Sequence, residues 1–157
     1  MMAKPKQAHM PRKSERRQQY AALPVRRVED GKVEVLLLTS RGTGRWIIPK
    51  GWPMRKLSPG AAAAREAYEE AGVEGTIRPD LPVGRYHYTK RLDAGGETEI
   101  LVEVFLLRVE RQLAEWPEQA ERETRWLKPE EAAGLVAEPE LAALLRSAQA
   151  FAEGPGS

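Results

Sequence analysis

Residues 51–73 read GWPMRKLSPGAAAAREAYEEAGV, and the reading of this stretch decides the fold. Ser58 is a preferred N-cap, Pro59 suits the first helical position, Ala61 to Ala64 favour a helix, and Gly72 can take a left-handed C-cap. The spacing therefore predicts a helix over Pro59 to Ala71. At about 100° per residue, Glu66, Glu69 and Glu70 fall within about a 100° arc of one helix face. Like charges at these spacings cost a few tenths of a kcal/mol per pair, and the helix dipole opposes Glu69 and Glu70 in the last turn. Arg65 can pair with Glu69 four residues on, but one cation does not neutralise three acids. A divalent cation would. With no cysteine and only two histidines in 157 residues, the chain offers hard oxygen ligands that suit Mg2+ or Mn2+, not a thiolate or imidazole zinc site.

A bare E-x-x-E-E is most often a solvated acidic face. The surrounding residues argue for more, because Gly51, Arg65, Glu66, Ala67, Glu69, Glu70, Gly72 and Val73 stand at fixed intervals. They resemble the Nudix box, G-x5-E-x7-R-E-U-x-E-E-x-G-U with U aliphatic, with Ala67 a small member of that class. One position departs: Leu57 stands where the pattern has its first Glu. In the family that Glu helps to hold loop and helix together while the later glutamates bind metal, so catalysis is expected to survive. Leu57 is read instead as a hydrophobic residue ahead of the Ser58 cap, packing near Ala62 as a staple.

The resemblance runs from about Tyr20 to Phe151. Ala21-Ala22, Glu34 to Leu38, Arg45 to Pro49, and Glu115-Trp116 with Glu118 ahead of Arg125-Trp126 are similar to the diphosphoinositol polyphosphate phosphohydrolase branch. Pro49-Lys50-Gly51 is also similar to diadenosine polyphosphate hydrolases. The implied fold class is α/β, in the α+β sense: a Nudix-type α/β/α sandwich with a mixed central sheet.

The element pattern agrees. Tyr20–Val28 and Val33–Thr39 read as a hairpin, and the Val35-Leu36-Leu37-Leu38 run suggests burial on both faces. Trp46–Ile48 is a short strand delivering Pro49-Lys50-Gly51 to the box. Gly75–Pro79, Val83–Tyr88, Ile100–Val109 and Arg125–Leu127 are further strands, Pro129 opens a helical turn, and Glu138–Ala152 is an amphipathic helix.

The length suits one domain, and no apolar run reaches the 18 or so residues of a membrane span. Nor is a signal peptide legible, so a cytoplasmic protein without a membrane partner is the expectation. The net charge of +2 hides an asymmetry. Residues 1–17 hold six basic residues against Glu15, a net +5, and the other 140 residues carry −3. The chain is thus divided into a basic, disordered tail at 1–17, a domain at 18–152 and a short flexible end at 153–157. Oligomeric state is not legible.

The resemblance implies hydrolysis of a phosphoanhydride in a nucleoside diphosphate-linked or polyphosphorylated small molecule, of diadenosine polyphosphate or diphosphoinositol polyphosphate type. Glu66, Glu69 and Glu70 would hold the metal, with a backbone carbonyl at Lys50 or Gly51 as a further ligand, and Arg65 would orient the glutamates. The general base is a box glutamate or a later acid, Glu118 or Glu121, with Glu97, Glu99 and Glu103 behind them. Arg41, Arg45, Lys50, Arg55 and Lys56 lie in loops bordering the box and could meet phosphate. His87, between Tyr86 and Tyr88, is read as structural. Gln18-Gln19 stands where the inositol branch has basic residues, which makes nucleotide anhydrides at least equal candidates. Two rival readings stand beside this one. One is a Nudix-like binding or regulatory module without turnover. The other is an RNA-directed protein that uses its basic tail to remove 5′ pyrophosphate, nucleic acid being the lesser partner expectation.

Overall fold

In the computed structural model, which describes residues 17–154, helix α1 runs over Pro59–Ala71. Ser58 Oγ accepts from the Ala61 amide, and Gly72 turns the chain out at φ 70°. Both caps are the ones the residue types favour. Ala63, Ala67 and Ala71 form a stripe of small side chains that lets α1 lie close to the sheet.

The strands are β1 (Gln18–Arg27), β2 (Val33–Thr39), β3 (Trp46–Ile47), β4 (Lys50–Gly51), β5 (Val73–Ile77), β6 (Gly84–Arg91), β7 (Glu97–Gln112) and β8 (Thr124–Leu127). They form one mixed sheet with the path β3-β2-β1-β7-β5, in which β4 joins β1, β6 joins β7 and β8 joins β2. The long β7 is the spine. It runs parallel to β1, pairs antiparallel with β6 through its first half and with β5 through its second. The expected β1–β2 hairpin is present, with Val25 opposite Val35.

Alternation along β1 and β2 sends Ala21, Leu23, Val25, Val35 and Leu37 to one face and Ala22, Leu36 and Leu38 to the other. The second face packs on α1 with Phe105 and Leu107. The first packs on α2 (Pro129–Ala133), α3 (Pro139–Arg146) and α4 (Ala148–Glu153) through Leu141, Leu145 and Ala148. Each leucine fully buried between layers contributes about 1.5–3 kcal/mol. The result is the expected α/β/α sandwich.

Several boundaries differ from expectation. The segment 138–152 is two helices, because backbone at Ser147 leaves helical geometry (ψ 3°); Pro139 also starts α3 one residue later, with Glu138 as its N-cap. Strand β5 begins at Val73, directly after the Gly72 cap, and carries a bulge at Glu74/Gly75. The hairpin through Gly95-Gly96 lengthens β6 and β7 beyond their apolar cores. Leu57 is 42% exposed and borders a surface depression with Ala61, Ala64 and Tyr68, while Ala62 is buried. The basic tail lies outside the described residues up to residue 16. At the other end Glu153 closes α4, and 155–157 lie outside.

Candidate active site

The buried face of α1 carries two carboxylates among its alanines: Glu66 is 1% and Glu70 5% exposed. They meet β4, which pairs with β1 through Tyr20–Gly51 and Ala21–Lys50. The Lys50 amide donates to Glu70 Oε1 at 3.4 Å. Gly51 lies so close to Glu66 that a Cβ added there would stand 1.9 Å from Glu66 Oε2. Only glycine leaves room for that carboxylate. Burial, and then the charge of Glu66, push the Glu70 carboxyl up to about 8; Arg122 and Lys50 work in the opposite direction.

The loop after β7 closes the cluster from the far side. The last turn of α1 exposes carbonyls, and the end of β7 and this loop satisfy them: Gln112 Nε2 donates to Ala71 O, Trp116 Nε1 to Glu70 O and the Glu118 amide to Glu69 O, at 3.0, 3.2 and 3.0 Å. It thereby brings Arg122 to Glu70 Oε2 at 3.6 Å. Arg122 also donates through Nε to Glu118 Oε1 at 2.9 Å and through Nη1 to Thr39 O at 3.1 Å.

The residues expected from the sequence divide into two groups. Glu66, Glu70, Gly51, Lys50 and Glu118 are brought together around α1 and β4. Glu69 is turned to Arg65, which donates to it at 2.9 Å, and is only partly buried. Glu121 reaches out to Arg41 at 2.7 Å, and that bond is the main cause holding the Arg41 pKa above its ordinary value. Arg55 is exposed. Glu97, Glu99 and Glu103 lie along β7 opposite β6. His87 pairs through Nδ1 and its amide with Glu140, joining β6 to α3, in keeping with a structural role.

Beside the cluster lies a cavity of about 390 Å3, within the usual range for small-molecule sites. Lys50 connects the two. Its amide faces Glu70, while its ammonium sits 4.8 Å above the Tyr88 ring inside the cavity. Burial lowers the Lys50 pKa, and Glu70 and Glu138 partly offset this. Trp46, Tyr86 and Tyr88 supply aromatic wall, and Arg45, Lys90 and Arg91 add cations. The Tyr88 hydroxyl donates to the buried Gln19 at 2.7 Å. Arg122, Glu138, Tyr86 and Tyr88 were not singled out as site residues from the sequence. Period-two alternation, which puts Tyr86 and Tyr88 on one face of β6 with His87 on the other, was the available signal for the tyrosines. The position of Glu118 four residues before Arg122 was the one available for the arginine.

The donor set fits a hard divalent cation. Two buried carboxylates meet β4, Glu66 against the glycine that leaves it space and Glu70 at the Lys50 amide, and no thiol is present anywhere. Among the described residues no three His, Cys, Asp or Glu side chains converge on one point, so Glu66 and Glu70 would need backbone oxygen or water as further ligands. Among the described residues no helix is long and apolar enough to cross a membrane.

Comparison with known proteins agrees with this geometry. A model of the NUDIX domain matches residues 17–148. Nudix hydrolase 13, mitochondrial, of Arabidopsis thaliana is 36% identical over 110 residues, covering 66% of this chain and 53% of that protein. Human diphosphoinositol polyphosphate phosphohydrolase 3-alpha is 37% identical over 102 residues, covering 63% of this chain and 57% of that one. Among solved structures, a C. elegans Ap4A hydrolase binary complex superposes with a TM-score of 0.63 at 25% identity, covering 88% of this chain and 98% of that chain. The chain spans about half the length of the curated relatives it matches. The family model thus matches most of the sequence, from β1 to the start of α4, and the chain belongs to the NUDIX domain family.

Proposed function

We propose that the protein is a divalent-metal-dependent hydrolase of phosphoanhydride bonds in small polyphosphorylated molecules. One observation carries this reading: Lys50 joins the Glu66–Glu70–Gly51 cluster, through its amide, to a cation-lined cavity, through its ammonium. Hydrolysis of an anionic anhydride is limited by electrostatics, because charge grows on the bridging oxygen as water approaches a phosphorus already surrounded by anions.

Mg2+ or Mn2+, when bound, supplies Lewis-acid polarisation of phosphate oxygens and acidifies water. Glu66 and Glu70 would hold it, with a backbone carbonyl at Lys50 or Gly51. Glu69 and Arg65 brace the outer side of the helix as a pair. Lys50 and Arg45 receive phosphate charge at the cavity wall. Of the later acids, the water-activating role falls to Glu118, which Arg122 holds beside Glu70, and not to Glu121, which reaches outward to Arg41.

The test is a magnesium-dependent screen of diadenosine polyphosphates, sugar nucleotides, ADP-ribose, diphosphoinositol polyphosphates and triphosphorylated RNA, with Glu70→Gln as control. Turnover of a small polyphosphate that the variant lacks supports the reading. Near-normal turnover in the variant, or turnover of RNA alone, contradicts it.

A further inference from the structure

The loop between β7 and β8 carries Glu118 to the box helix with little regular structure of its own, one turn of 3-10 helix at Gln119–Glu121. Donors tie it to the end of α1. The amides of Leu113 and Glu118 donate to Gly72 O and Glu69 O at 2.8 and 3.0 Å, and the Trp116 indole donates through Nε1 to Glu70 O at 3.2 Å. Trp116 is partly buried, yet it belongs to neither of the apolar clusters on the two faces of the sheet. It lies on Gly72 instead. A Cβ built on Gly72 would stand 2.3 Å from both Cδ2 and Cε3 of the indole, closer than any residue with a side chain allows. The left-handed φ of 70° already favours glycine as the C-cap, but asparagine also tolerates that backbone. The ring contact is a second and separate demand on this position.

We propose that Trp116, seated on Gly72, is a positioning residue that fixes the loop where Glu118 can act on the attacking water. The inference rests on the hydrolase reading above, which gives Glu118 that role, and adds the group that holds it from the side of the helix end.

The link from ring to carboxylate is short and stiff. Only Pro117 separates Trp116 from Glu118, and a proline fixes its own φ and restricts the residue before it. A shift of the indole is therefore passed on to Glu118 with little slack. On its other side the Glu118 carboxylate accepts from Arg122 Nε at 2.9 Å, and the same guanidinium reaches Glu70. Arg122 thus sets where the carboxylate points, and Trp116 sets where its backbone stands. A group that takes a proton from water in the transition state is sensitive to such placement, a displacement of about 1 Å costing about 100-fold in rate.

The whole chain is assayed with Mg2+ on the fastest substrate among diadenosine polyphosphates, sugar nucleotides, ADP-ribose and diphosphoinositol polyphosphates. Wild type is compared with Trp116→Ala, Trp116→Phe, Gly72→Asn and Glu118→Gln, with thermal melts to establish that each folds. Trp116→Ala is expected to lower kcat about 30-fold with KM within about twofold. Its Mn2+ affinity, read by electron paramagnetic resonance, should stay within about twofold of wild type, because the loop supplies no ligand. Trp116→Phe keeps a ring on Gly72 without the N–H donor and should retain more of the rate. Gly72→Asn keeps the left-handed cap but leaves no room for the ring, so it should behave as Trp116→Ala does. In a Glu118→Gln background, Trp116→Ala should cost no more than about twofold further, since it acts through that carboxylate. Independently of turnover, exchange of the Glu118 amide, followed by NMR, should quicken at least about tenfold in Trp116→Ala while that of Ala67 in mid-helix does not. Additive losses in the double variant, kcat within about twofold of wild type in Trp116→Ala or Gly72→Asn, Mn2+ affinity falling in step with kcat, or unchanged exchange at Glu118 overturns the proposal. If wild type hydrolyses none of these compounds, the hydrolase reading fails and the positioning role falls with it. If turnover occurs and Trp116→Ala leaves it intact, only the present proposal fails.

Discussion

Arg122 Nη2 stands 3.6 Å from Glu70 Oε2 while its Nε donates to Glu118 Oε1 at 2.9 Å, and all three side chains are nearly closed off from solvent. One guanidinium thus compensates carboxylates from the box helix and from the loop after β7, and its third contact satisfies Thr39 O. Removing one partner from such a group leaves buried charge unpaired, which costs about 3–5 kcal/mol. Arg122→Met should lose that much stability in urea titrations at pH 9, where Glu70 is ionised. Arg122→Lys should recover only part, since an ammonium lacks the planar fork that serves three acceptors. A loss below about 1 kcal/mol in the Met variant would mean that the contacts are incidental.

The pH dependence of stability follows from Glu70. Burial, reinforced by Glu66, lifts its carboxyl from 4.5 to about 8, so over that interval the folded chain keeps a proton that the unfolded chain has released. The native state therefore loses stability as pH rises through this window, by up to about 1.4 kcal/mol per pH unit. Glu70→Gln, a neutral mimic, should match wild type near pH 5 and exceed it near pH 8 when unfolding is followed in chelator. Added Mg2+ should restore wild type at pH 8 and leave the variant unmoved, because the ion binds the deprotonated native site. Parallel stability curves for the two proteins would refute the assignment.

Gly51 tests the cradle itself. A Cβ there would meet Glu66 Oε2 at 1.9 Å and its carboxyl carbon at 2.3 Å, so Gly51→Ala must displace the carboxylate. Mn2+ affinity, read by electron paramagnetic resonance, should fall about 10- to 100-fold, with turnover falling alongside it. Unchanged Mn2+ binding would remove Glu66 from the metal site.

How far the sequence disclosed all this depends on whether a signal is local. Ser58, Pro59 and Gly72 act on their own helix, and α1 begins and ends where they place it. The Val35–Leu38 run is buried on alternate faces because each residue answers only to its own strand's pleat. The spacing of Glu66 and Glu70 from Gly51 was legible through the resemblance to the Nudix box, which fixes those intervals. Arg122 was not, since it gains its role from partners remote in the chain, Glu70 and Thr39. The single helix expected over 138–152 failed through a weaker local preference, because apolar period alone does not reveal the break at Ser147.

Leu57 is the remaining departure from the box, and its environment yields a specific expectation. It is exposed, it precedes the cap, and it adjoins the Arg65 and Tyr68 side of α1, away from the buried face that carries Glu66 and Glu70. Leu57→Glu, which restores the acid of the family pattern, should therefore change stability by no more than about 0.5 kcal/mol. An acid at this position lies just before the helix N-terminus, where the dipole favours it, so any shift should be stabilising and should shrink with salt. If Glu70 and Glu66 suffice for the metal, kcat should stay within about threefold of wild type, a difference of well under 1 kcal/mol in barrier. A gain of two orders of magnitude on restoring the acid would show instead that this position holds the box together and that the natural chain works with a weakened site.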